Sequence, residues 1–109
     1  MQRLLGLDVG ERRIGVALSD PLGLTAQRLT VISRHVLKQD LNAVATLASE
    51  HGVEAVIVGL PLMMNGHIGE QAKRVMEFVE RLREHLACSV HVVDERLTTL
   101  QSEIGRAHV

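Results

Sequence analysis

Three acidic side chains stand where strands should end. Asp8 follows the apolar run Leu4-Leu5-Gly6-Leu7, and the pair Asp94-Glu95 follows the run Cys88 to Val93. A short apolar run closed by a turn signal reads as a buried strand. In open α/β sheets the ends of parallel strands are where ligands bind. Carboxylates held there present hard oxygen donors, which suit Mg²⁺ and Mn²⁺. If the second run lies one strand removed from the first, the two backbones are roughly 10 Å apart. Two carboxylates reaching inward across that gap could share a hydrated divalent cation. Alternation puts Asp94 and Glu95 on opposite faces, so at most one of them points at Asp8. A site of this kind suits phosphodiester hydrolysis, in which a metal-bound water attacks and metal stabilises the entering and leaving oxygens. A purely structural reading stands beside it. Asp8 can open the turn that follows, and Asp94 or Glu95 can pair with Arg96 or Arg13.

The basic residues are clustered rather than abundant. Arg12 and Arg13 lie in the first turn and Arg96 in a later one. Arg28, Arg34, His35 and Lys38 fall between Asp20 and Asp40 with no acid among them. Such clusters could contact phosphate or form an ordinary solvated face. The net charge of −1 announces no broad basic surface. One Phe and no Trp or Tyr count against base stacking on aromatic platforms. Any contact with nucleic acid would therefore run through backbone, shape and metal. The segment Gly59 to Gly66 is not a Walker A loop, because no Gly-Lys-Ser/Thr follows. The six histidines show no zinc-type spacing. Cys88 has no partner for an intrachain disulfide and reads as a small core residue.

The elements that must position these side chains follow from periodicity. Leu4–Asp8 and Ile14–Ser19 read as a hairpin, with Gly10 available for a positive φ in the turn. Gly15 suggests a bulge or a close backbone approach. A third strand falls within Thr25–Ser33. Val36–His51 has one apolar face at helical spacing, and Gly52 stops it. Ala55–Gly59 is apolar at every position, which predicts cover on both faces. Leu60–Gly69 is a long loop of the kind that carries function. Glu70–Leu86 is a second amphipathic helix, and Cys88–Val93 is the fifth strand. Thr98 with Gln101 fits a capping box that opens a third helix.

The order β-β-β-α-β-α-β-α predicts an α/β fold. Three antiparallel strands lead into right-handed βαβ crossovers, giving a five-stranded mixed sheet flanked by helices. A length of 109 residues reads as one domain, 1–109. The apolar stretch Ala55–Met64 is too short to span a bilayer, and no cleavage-type leader is visible. The expectation is a cytoplasmic protein without a membrane partner.

Three segments resemble the motifs of one family. Gly6-Leu7-Asp8-Val9-Gly10-Glu11-Arg12-Arg13-Ile14-Gly15-Val16-Ala17 is similar to the opening motif of the YqgF/RuvX family, the pre-16S rRNA nucleases also called Holliday junction resolvase-like proteins. Val58-Gly59-Leu60-Pro61-Leu62-Met63-Met64-Asn65-Gly66 resembles its second motif, and Asp94-Glu95-Arg96-Leu97-Thr98-Thr99 its third. They occur in the family's order and reach from one end of the chain to the other. The resemblance implies an RNase H-like fold and nuclease chemistry dependent on Mg²⁺ or Mn²⁺. It places the first metal ligand and catalytic acid on Asp8 and the second on Glu95, with Asp94 the adjoining candidate for the metal. Arg12, Arg13 and Arg96 could contact phosphates. Thr98 and Thr99, at a helix N-terminus, could hold another, and the Leu60–Gly69 loop could touch substrate. A third family acid lies in a C-terminal helix beyond the third motif, whereas this sequence stops at Val109. Glu103 is not at that position. The expectation is weaker metal binding and lower activity than in a longer relative.

The readings in competition are therefore these. The first is an endonuclease that matures the 5′ end of pre-16S rRNA, with a four-way DNA junction as the rival substrate. The second is a phosphate-binding ATPase, because Asp8-Val9-Gly10 before a hairpin also resembles the first phosphate loop of the actin/Hsp70/sugar-kinase superfamily. One copy in 109 residues argues against that. The third is a domain that binds RNA or a ribosome-related partner without cutting. An apolar patch left without its last helix could also support a homodimer.

Overall fold

Alternation of buried and open residues builds the sheet. The computed structural model describes residues 3–20, 25–63 and 65–94. Strands β1 (Leu4–Val9), β2 (Arg13–Ser19) and β3 (Ala26–Ser33) form an antiparallel meander. Helix α1 (Leu37–Glu50) then crosses to β4 (Ala55–Leu60), and α2 (Glu70–His85) crosses to β5 (Ser89–Asp94). The strand order is β3-β2-β1-β4-β5, with β1·β4 and β4·β5 parallel. The expected mixed sheet is present, and each boundary lies within one residue of the sequence expectation. The expected third helix lies outside the described residues.

Both helices cover one face. The two crossovers move the same way across the sheet, and crossovers of one hand moving in one direction leave their helices on the same side. Leu5, Leu7 and Val9 of β1, Ile14 and Val16 of β2, and Val56 and Val58 of β4 face this layer. They pack with Leu41 and Val44 of α1 and Val75, Phe78, Val79 and Leu82 of α2. The alternate pleat carries Leu4, Gly6 and Asp8, then Gly15 and Ala17, then Ile57 and Gly59. Cover on both faces of β4 is thus not what the described residues show: Val56 and Val58 are fully buried, while Ala55, Ile57 and Gly59 are only half-buried. Among the described residues that pleat leaves Leu4, Val31 and Val93 exposed. Cys88 packs half-buried at the edge of the core, as a small apolar residue would.

Two glycines act in different ways. Gly52 has φ +61 after the last turn of α1. The Val53 amide donates to the Ala48 carbonyl at 2.9 Å and the Gly52 amide to Ser49 at 3.3 Å, a Schellman ending. Gly10 does not have the positive φ that its turn could have required; among the described residues only Gly52 and Gly66 do. Its role is close approach. The Gly10 amide donates to the Arg13 carbonyl at 2.8 Å, and a Cβ at Gly10 would stand 3.0 Å from that same oxygen.

Candidate functional site

Asp8 is the next-to-last residue of β1, the central strand of the sheet. Leu7 and Val9 on either side are buried, and this holds the strand rigid, while Asp8 itself is exposed on the open pleat. Among the described residues its carboxylate takes part in no hydrogen bond or ion pair. Gly15 is its partner across the β1·β2 ladder. A Cβ placed on Gly15 would lie 3.7 Å from the Asp8 Cβ, and any longer side chain would occupy the space beside the carboxylate. The β1·β2 register is continuous here, and the register shift between Val16 and Ala17 belongs to the other ladder of β2, with β3.

The register also locates the third motif. Leu7 aligns with Val58, and Gly59 aligns with Val93, so Val93 is the β5 residue level with Asp8. One strand, β4, separates them, the arrangement that the sequence argument took as its condition, at about 10 Å. Val90 and Val92 turn toward the helices. Asp94 shares their parity and Val93 shares that of Asp8. Glu95, Arg96, Thr98 and Thr99 lie outside the described residues. Among the described residues no group of three His, Cys, Asp or Glu side chains is close enough to hold a metal. The donor chemistry of Asp8 fits a hard divalent ion nonetheless: an unengaged carboxylate on a rigid strand, with a glycine opposite it leaving room for coordinated water.

Arg12 lies in the turn after β1, and Arg13 opens β2 directly behind it. Both are exposed, and among the described residues neither has an ion-pair partner. The turn around them is held from behind by residues that composition placed in a possible phosphate cluster. Arg34 is not a free surface cation: its Nε donates to Oδ2 of Asp40 at 2.8 Å, and its Nη1 to the Gly10 carbonyl at 2.7 Å. Its amide donates to the Arg12 carbonyl at 2.8 Å. Asp40 is 1% exposed, and its other oxygen accepts the His35 amide at 2.9 Å. The Phe78 ring lies 5.2 Å from the guanidinium carbon, within cation–π range. Asp40 sits in the first turn of α1, where a negative charge is favoured by the helix dipole. Sequence reasoning missed this pair. The available signal was an acid in a helix first turn shortly after an isolated arginine, a pattern too common to single out.

Beside the turn, on the helical side, a groove of about 740 Å³ runs between Val9, Gly10, Arg34 and α2. Arg74 of α2 reaches Glu11 at 3.0 Å across its mouth. The loop after β4 is organised by its own hydrogen bonds. The Met63 amide donates to the His67 carbonyl at 3.0 Å, and the His67 amide to the Asn65 side chain at 3.0 Å. No helix among the described residues is long and apolar enough to cross a membrane.

The family model for RuvX, described as Holliday junction resolvase, matches residues 2–107. The chain belongs to the RuvX family. A Desulforamulus reducens protein named "Putative pre-16S rRNA nuclease" is 48% identical to it over 101 residues, covering 93% of this chain and 74% of its own length. A Moorella thermoacetica protein of the same name is 53% identical over 98 residues, covering 90% of this chain and 70% of its own. Among solved structures, Thermus thermophilus RuvC in complex with a Holliday junction substrate superposes with a TM-score of 0.59 at 15% identity, over 86% of this chain and 65% of RuvC. That likeness establishes the RNase H-like fold of this RuvX chain.

Proposed function

We infer that this RuvX chain is a divalent-metal-dependent endonuclease whose substrate is RNA, and that it trims the 5′ end of pre-16S rRNA. Its family is one of nucleases, and relatives about half identical to it carry the pre-16S rRNA name. The observation that carries the metal-dependent reading is the state of Asp8: an exposed carboxylate, unengaged among the described residues, at the end of the central strand with a glycine across the ladder. Asp8 would hold Mg²⁺ or Mn²⁺ together with Glu95. Asp94 is the weaker candidate, because its parity on β5 is that of the core-facing valines. A bound cation supplies an activated water and charge stabilisation at the cleaved phosphate. The chain's own groups then have separate tasks. The rigid strand fixes Asp8, Arg12 and Arg13 meet backbone phosphates beside it, and Arg96, Thr98 and Thr99 supply further phosphate contacts. The partner is nucleic acid, met in the cytoplasm.

The test is cleavage of a precursor rRNA fragment and of a four-way DNA junction in Mn²⁺, with Asp8→Asn run beside the wild type. Loss of an outer-shell partner of a metal ligand costs 10- to 100-fold, so removal of a ligand charge should cost about 100-fold or more. The melting temperature should be unchanged, because Asp8 is exposed. Equal cutting by Asp8→Asn would sink the metal site. Preference for the junction would move the substrate from RNA to DNA, the substrate that the family description names.

A further inference from the structure

We propose that Arg34, held by Asp40, is a positioning residue for the nuclease site: it fixes the turn that joins the strand of Asp8 to β2. This rests on the nuclease reading above and extends it to residues on the opposite side of the turn.

The geometry is specific. Asp40 is 1% exposed and uses both carboxylate oxygens, one on the Arg34 Nε and one on the His35 amide. The guanidinium carbon lies over the Phe78 ring, 5.2 Å from its centroid. While Nε is held by Asp40, Nη1 of the same group donates to the Gly10 carbonyl at 2.7 Å. The backbone of the same residue grips the turn again, at the Arg12 carbonyl. Residue 34 therefore holds both Gly10 and Arg12, and the Gly10–Arg13 hydrogen bond closes the turn internally. Gly10 lies two residues beyond Asp8, so movement of its carbonyl moves the end of β1. The Arg12 and Arg13 side chains, exposed at the front, inherit the same constraint. A plain fold-stabilising ion pair would not need a fork that spans a carboxylate and a turn carbonyl. Lysine, a point charge on a flexible stem, keeps the charge beside Asp40 but cannot hold both acceptors in a fixed plane.

The deciding variant is Arg34→Lys, with Phe78→Leu as a milder second that removes the ring and keeps the arginine. Both would be assayed at a temperature where circular dichroism shows them folded. Two readouts are needed: kcat and KM for Mn²⁺-dependent cleavage of the precursor rRNA fragment, and amide exchange at Gly10 and Arg34. Small displacements at a reacting centre cost up to about 100-fold, so Arg34→Lys should lower kcat about 10-fold with KM within about 2-fold. The Gly10 and Arg34 amides should exchange about 10-fold faster while those of β4 keep their protection, since openings can be local. Phe78→Leu should move both readouts in the same direction by less. Unchanged protection at Gly10 and Arg34 in folded Arg34→Lys overturns the clamp. Lost protection with wild-type kcat overturns its role in positioning. Failure of the nuclease reading looks different: the wild type itself would show no Asp8-dependent cleavage, and the positioning role would fall with it whatever the exchange data showed.

Discussion

The two faces of the sheet treat their aspartates in opposite ways. On the helical face Asp40 is buried, with both oxygens committed to Arg34 and His35. On the open face Asp8 is exposed and, among the described residues, uncommitted. A buried carboxylate without partners is costly, so Asp40 survives there only because its partners come with it. An exposed carboxylate needs no partner, and one left without them on a rigid strand is free to bind something else. The difference separates a residue that holds the frame from one that the frame presents.

That contrast can be broken from either side. The largest effect should come from the helical face. Leu82 is fully buried in α2, and Leu82→Ala should cost about 2–5 kcal/mol in chemical denaturation. A loss below about 1 kcal/mol would mean that α2 is not packed on the sheet as described. On the open face the expected effect is on function with the fold intact. Gly15→Val places two methyls beside Asp8, where a Cβ alone would already sit 3.7 Å from that of Asp8. Mn²⁺-dependent cleavage should fall on the order of 10-fold, and the melting temperature should hold or rise, since valine suits a strand. A parallel loss of stability and activity would show that the open face is a core surface after all. The smallest effect belongs to the rim. The Glu11–Arg74 pair is exposed on both sides, so Arg74→Ala should change stability by less than about 1 kcal/mol. A larger loss would make that pair part of the frame.

Much of the fold was legible in the sequence because its signals are local. Short apolar runs closed by acids or turn residues mark β1 and β5, a helical stripe marks α1 and α2, and Gly52 marks a helix end. Asp8 was legible for the same reason, as a charge closing an apolar run. Three things were not. The continuous apolar run of β4 suggested burial on both faces, but one face of the described sheet lacks a helical layer, and Ile57 sits on it half-buried. Gly10 suggested a positive φ, whereas the turn needs its small size against the Arg13 carbonyl. The charge cluster around Arg34 suggested solvent or phosphate. Which of its members turns inward depends on where α1 docks, and no local pattern encodes that.

The strand order has a consequence for the chain as it is made. β1, β2 and β3 pair within the first 33 residues, so this meander can close early in synthesis. The other edge of β1 pairs with β4, whose last residue is Leu60. At about 5–20 residues per second, the closed meander waits roughly 1–5 s with that edge unpaired. An open edge is a template for pairing with the wrong chain. The nascent protein is therefore most exposed to misassociation at its central strand, in the interval before residue 60 leaves the ribosome. A slowed codon between α1 and β4 would lengthen that interval, and a faster one would shorten it.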